Sequence, residues 1–221
     1  MTSPEDSTGA RAPQPAHSSD ARAPQPAHSS DARAPQPAHS SDARAPVGPA
    51  LQDRFAPDNA CFGCGPQNAK GLRLKSHVAA DGAVVATFRP EPHHEAFPGV
   101  LNGGIIGALL DCHSNWTAAH ALMLARGEQS PPCTVTAEFH VKLRHPTPTD
   151  VPVSLVARAV HWSGKGPGKG SGEASGKASG DAPLPDRCTV DAELSCGGKV
   201  TATCHGLFVA VSEGHPAYHR W

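Results

Sequence analysis

The chain has 221 residues, with 19 Lys and Arg against 20 Asp and Glu and a formal net charge of −1. Charge so balanced leaves no basic footprint for nucleic acid, and no apolar run reaches the roughly 18–20 residues needed to span a membrane. Seven cysteines, an odd number without a framework, are expected as reduced thiols, which points to a cytoplasmic setting.

The first stretch offers nothing for a core. From Ala10 an eleven-residue unit, ARAPQPAHSSD, runs three times (Ala10–Asp20, Ala21–Asp31, Ala32–Asp42) and begins a fourth at Ala43–Pro46. An eleven-residue apolar period would suit a right-handed supercoil. Here each unit carries two prolines and no large apolar residue, so there is no stripe to bury. Residues 1–50 are therefore expected to form a disordered Pro/Ala-rich arm. Its His17, His28 and His39 would lose much chain entropy in gathering round a metal, and no metal is expected there. Met1–Ala10 is acidic and polar, unlike a secretory signal.

Residues 51–215 are one domain's worth of chain. Gly71–Val78 and Ala83–Arg89 are β-rich runs split by Ala79-Ala80-Asp81-Gly82, a hairpin signal. Pro90, Pro92 and Pro98 bracket a loop. Asn102 is a good N-cap, and from Gly103 to about Ala125 nothing interrupts a helix except glycines near its start. Past Pro131-Pro132 the period changes to two. Thr134–Leu143, Val151–Val160, Arg187–Cys196 and Lys199–Val211 read as strands, the last two turned by Gly197-Gly198. The Gly/Ser/Lys-rich stretch 163–186 reads as a flexible insertion at a strand-to-strand turn. No helix follows it, so it lacks the dipole of a phosphate loop. Two strands, one long helix and four strands predict an α+β layer pair, an antiparallel sheet of about six strands wrapped around one central helix.

That helix carries a carboxylate inside an apolar run, LNGGIIGALLD (Leu101–Asp111). A charge placed there is costly unless something satisfies or uses it. Residues three and four apart share a helix face, which sets Asp111 on a lane with Gly104, Gly107, Ala108, Ser114, Asn115 and Ala118. Such a lane serves either tight packing, with Asp111 held by a local partner, or the approach of another backbone or a slender ligand. The helix start adds a second feature. Its first amides lack intrahelical partners and carry the positive end of the dipole, and Gly103 and Gly104 keep side chains off them. Donors and a carboxylate together can hydrolyse an acyl compound, one polarising the carbonyl while the other activates water or attacks. Gly104 and Asp111 are seven residues apart, about 10 Å of helix rise, so a single helix hardly presents both to one carbonyl. Two antiparallel helices about a twofold axis would, and an isologous homodimer with shared sites is expected.

The block HEAFPGVLNGGIIGALLD (His94–Asp111) resembles the core of the hotdog-fold thioesterases of the phenylacetate-pathway (PaaI-like) group. CFGCGPQNAKGLRLK (Cys61–Lys75) is similar to the cysteine-containing entry of that group, and VTAEFHVKLRHPTP (Val135–Pro148) to one of its strands. The resemblance covers about residues 55–211. It implies a hotdog fold and acyl-CoA hydrolysis with no cofactor. Asp111 would be nucleophile or general base, and the Gly104 N–H, with Gly103, the oxyanion site. Thr136 would orient water or the carboxylate, and His94 would be the loop histidine near the thioester. One departure stands out: the family histidine before the glycine pair is Asn102 here, which can cap and donate but cannot take a proton. Implied partners are an acyl-CoA substrate and a second copy of the chain, as a homodimer or a dimer of dimers.

Cys61 and Cys64 form a CxxC whose plain reading is a tight turn with two small thiols. Zinc would need two further ligands, and Cys188, Cys196, Cys204 and His205 lack a second close pair. Cys112 and His113 diverge by about 100° around the helix and are not expected to pair. Trp116 reads as core or as an acyl-pocket wall, and Lys142 and Arg144 as solvated or as phosphate contacts. Besides a thioesterase, two alternatives fit the chain: a non-catalytic acyl-CoA-binding hotdog module and, less well, a hotdog hydratase or dehydratase.

Overall fold

The computed structural model describes residues 44–164 and 184–218. The three full repeats and most of the Gly/Ser/Lys insertion lie outside the described residues. Pro46–Val47 (β1) already pairs with His77–Ala79 (β2), so the sheet begins inside the stretch read from sequence as arm. A short helix, Leu51–Phe55 (α1), follows β1. β2 turns through Gly82, at φ +79°, into Val84–Phe88 (β3). The expected first strand is shorter than its composition suggests. The amides of Leu72 and Leu74 donate instead to Phe62 O (2.7 Å) and Gly63 O (3.0 Å), tying this segment to the cysteine loop.

A two-stranded ribbon, Glu95–Phe97 (β4) with Val100–Leu101 (β5), leads into the long helix Gly103–Arg126 (α2). Strands this short are invisible to a period-two reading. α2 stops at Gly127, whose left-handed φ of 70° lets its N–H reach Leu124 O. Then come Thr134–Leu143 (β6), Val153–Ser163 (β7), Arg187–Cys196 (β8) and Lys199–Ala210 (β9). The sheet has seven antiparallel strands in the order β1-β2-β3-β7-β8-β9-β6. The sequence reading counted about six, the difference being the two-residue β1. Ser163 pairs with Arg187, so the insertion leaves and re-enters at adjacent positions of a β7–β8 hairpin.

The apolar side of α2 (Ile106, Leu109, Leu110, Trp116, Leu122) packs with Leu155, Val190, Leu194 and Phe208 from β7, β8 and β9 in one buried cluster. A polar pin ties α2 to β3 and to the segment before β2. His113 is wholly buried; its Nε2–H donates to Val84 O (3.0 Å), and its Nδ1 accepts from Ser76 Oγ (2.9 Å). Gln52 closes the network, donating to Ser76 Oγ (3.1 Å) and accepting from Ser76 N (2.9 Å). A carbonyl can only accept, so the neutral ring carries its proton on Nε2. Burial pushes the His113 pKa down to about 4, in keeping with that state.

The edge strand β6 contains a bulge. Thr136 stands opposite Phe208 and Glu138 opposite Leu207, so Ala137 has no partner of its own. A bulge inverts side-chain parity beyond it. Thr134 and Thr136 therefore face α2, and so do Phe139 and Val141, which pack on the core. Without the extra residue, one of these two groups would face away.

Candidate active site

The site is built from the start and middle of α2, the bulged strand β6 and the cysteine loop. Asn102 is extended (φ −63°, ψ 134°), and its Oδ1 accepts from Gly104 N at 2.7 Å. Its own N–H reaches His94 O (2.9 Å), and its carbonyl accepts the first helical bond, from Ile106 N (3.0 Å). The Gly104 amide that the sequence suggested would be bare is thus capped from within the chain. Replacing Asn102 with Ala is expected to lower stability by about 1 kcal/mol, the usual worth of such a cap. A fall in the thermal midpoint checks this.

Two turns on, Asp111 is half-buried, and Thr136 Oγ1 donates to its Oδ1 at 2.7 Å. The bulge at Ala137 gives that hydroxyl its aim. Burial lifts the Asp111 carboxyl above the ordinary carboxylate range, the Thr136 hydrogen bond opposes this, and charge on nearby Cys61 adds to the rise. The result is a carboxylate held in one orientation and more basic than usual.

Asp111 opens on a cavity of about 190 Å³, lined also by Asn59, Cys61, Cys64, Cys112, Asn115, Trp116 and Thr134. Asn115 Oδ1 accepts from Thr134 Oγ1 at 2.6 Å, fixing the wall one turn beyond Asp111. Trp116 is buried and lines this cavity. Cys61, Cys64 and Cys112 bring their sulfurs within 4.8 Å of one another. Hydrogen bonds from the Cys112 and Cys64 thiols hold Cys61 well below the ordinary thiol range, while the bond with Cys61, first among several causes, raises Cys112. Cys112 belongs to the buried core cluster as well, and the sequence reading missed this grouping. The helical face of Cys112 was legible, but the loop it meets was not.

The remaining expected site residues lie apart from this cavity within one chain. Gly103 and Gly104 sit at the helix start, outside its lining. His94 is buried against Phe88, with ring centroids 5.3 Å apart, and its Nδ1 accepts from Glu91 N (3.0 Å). It touches the helix start through its carbonyl alone among the described hydrogen bonds. Cys112 and His113 point to different neighbours, as their spacing required. Lys142 and Arg144 border a separate depression of about 270 Å³ with His140, Asp191 and His205. Among the described residues, no helix is long and apolar enough to cross a membrane.

No family profile and no curated protein matches the chain. Several solved structures are similar to it. A thioesterase superfamily protein from Shewanella loihica is 25% identical over 73% of this chain and 99% of its own, with a TM-score of 0.48. A Bacillus halodurans protein solved with CoA is 20% identical over 64% of this chain and 76% of its own, with a TM-score of 0.44. The PaaI protein of the Escherichia coli phenylacetic acid degradation operon is 14% identical over 65% of this chain and 83% of its own, with a TM-score of 0.45. One long helix wrapped by a single antiparallel sheet in this strand order is the hotdog fold, and by that architecture this chain is a hotdog-fold protein.

Proposed function

We propose that this chain is an acyl-CoA thioesterase that hydrolyses its substrate to the free acid and CoA, with Asp111 as general base or nucleophile. The observation that carries the reading is the Thr136–Asp111 hydrogen bond of 2.7 Å at the mouth of a cavity. A buried carboxylate costs stability, and this one is aimed by a hydroxyl that a bulge turns toward it. That arrangement suits activation of water or direct attack on a thioester carbonyl.

The oxyanion donors belong to the helix start, about 10 Å away along α2, so the site is completed by a second copy. In an isologous pair, the Gly103–Gly104 end of one helix lies beside Asp111 of the other. Two features support that packing. A side chain at Gly107 would meet nothing within 4 Å, and one at Gly104 only its own cap. Leu143, next to Gly103, is 57% exposed and Phe97 68%. The acyl oxygen takes the place of Asn102 Oδ1 on the Gly104 N–H. His94 holds the loop that positions Asn102 through its carbonyl.

The same Asn102 cap favours one other reading, a module that binds acyl thioesters without cleaving them. Thiol release over aromatic, short, medium and long acyl-CoAs, followed with a chromogenic disulfide against an enzyme blank, separates the two. Turnover of at least one substrate is expected. Saturable binding with no thiol released from any would overturn the thioesterase reading.

A further inference from the structure

Three of the seven cysteines converge although they come from separate parts of the chain. Cys61 and Cys64 sit on a tight loop, closed by Gly65 N donating to Cys61 O at 2.9 Å. A Cβ at Gly65 would come within 2.4 Å of Cys61 N, so this turn admits no side chain. Asn59 Oδ1 accepts from Cys61 N (2.6 Å), and the Leu72 and Leu74 amides hold Phe62 and Gly63 from the other side. The loop is therefore fixed before any ligand arrives.

Cys112 reaches this loop from α2. Its Sγ lies 3.7 Å from Cys61 Sγ, and a Cβ on Gly63 would come within 2.3 Å of it. Gly63 thus leaves the gap through which the third sulfur enters. Tetrahedral zinc with Zn–S bonds of about 2.3 Å sets its thiolates about 3.8 Å apart, close to the 3.7 Å between the Cys61 and Cys112 sulfurs, and Cys64 Sγ lies within 4.8 Å of both. A disulfide, at about 2.05 Å, is far shorter. The surroundings also suit metal-bound sulfur. Trp116 Nε1–H donates to Cys64 Sγ at 3.3 Å. Such an N–H donor stabilises thiolate charge and orients the ligand, as outer-shell partners do in metal sites.

We propose that Cys61, Cys64 and Cys112 bind one zinc ion as thiolates, with the fourth position open to the Asp111 cavity and filled by water. Binding forms three Zn–S bonds and releases the thiol protons to solvent. An all-sulfur set selects soft ions, and a single centre with three thiolates and an open position suits zinc better than an iron–sulfur cluster, which takes four cysteines. Zinc binding borders the same cavity but does not depend on the thioesterase reading: zinc can be present in a protein that hydrolyses nothing, and absent from one that does.

The test uses the full chain, purified with reductant and without chelator. Elemental analysis is expected to give about one zinc per chain, liberated when a mercurial titrates the thiols and scored with a chromogenic chelator. Cobalt(II) reconstitution of the metal-free protein is expected to produce a thiolate-to-metal charge-transfer band. Cys61→Ser, at an exposed position, is expected to abolish that band and weaken zinc retention at least tenfold with the circular dichroism unchanged. Cys112→Ser is expected to do the same, and Cys188→Ser to leave both intact. A reduced, folded protein that takes up no zinc or cobalt would overturn the proposal. So would copper as the retained metal, a Cys61–Cys112 or Cys61–Cys64 disulfide in its place, or zinc indifferent to Cys61→Ser.

Discussion

Asp111→Asn is expected to slow thioester hydrolysis by about 10²–10⁴-fold, the usual contribution of a positioned general base. The amide keeps the size of the carboxylate and can still accept from Thr136, so the fold should be retained. Ionised Asp111 is disfavoured by its burial: its folded pKa lies above the unfolded value. A group raised in this way contributes stability at low pH and loses it as pH rises through the folded pKa. At neutral pH the Asn variant should accordingly be no less stable than the parent, a signature of a residue kept for chemistry. Thr136→Val removes the one hydrogen bond that opposes the rise, so the acidic limb of its kcat/KM profile should move to higher pH. A folded Asn variant with undiminished turnover on every substrate would end the assignment. Labelled water in a single turnover then separates attack by water from attack by the carboxylate.

The helix and the four long strands were legible because their signals are periodic and their ends chemically marked. Asn102 and Gly127 close α2 at its two ends, and Gly197-Gly198 turns β8 into β9. Asp111 stood out because a charge in an apolar helix is anomalous. What escaped the sequence was set by tertiary geometry. Gly71–Ser76 has strand composition, yet its amides are drawn to the cysteine loop. The bulge at Ala137 has no local signature, so the orientation of Thr136 rested on resemblance rather than on alternation. The convergence of Cys112 with Cys61 and Cys64 needed the loop's path, which spacing along the chain does not contain.

Acidification should destabilise the protein through His113. The unfolded ring titrates near 6.5 and the buried one near 4, so between those values the unfolded chain binds the extra proton. The contribution is complete above pH 6.5 and is lost as pH falls toward 4. A gap of this size amounts to about 3 kcal/mol. Burial lowers the pKa of His94 and His120 too, adding to the loss in the same direction. Urea unfolding at pH 7 and pH 4.5 measures the whole slope, and His113→Gln isolates one part of it. Glutamine can still donate to Val84 O and accept from Ser76 Oγ, so the variant should fold but show a shallower dependence. An identical slope in both proteins would remove His113 from the account.

The same histidine has a geometric effect on the carboxylate. Two residues along a helix subtend about 200°, so Asp111 and His113 lie on nearly opposite sides of one cylinder. With His113 latched to Val84 and Ser76, the cylinder cannot rotate about its long axis without breaking hydrogen bonds in a dry interior. The roll angle of α2, and with it the bearing of Asp111, is therefore set from behind. Gln52 and Ser76 never touch the cavity, yet they act as its gunsight.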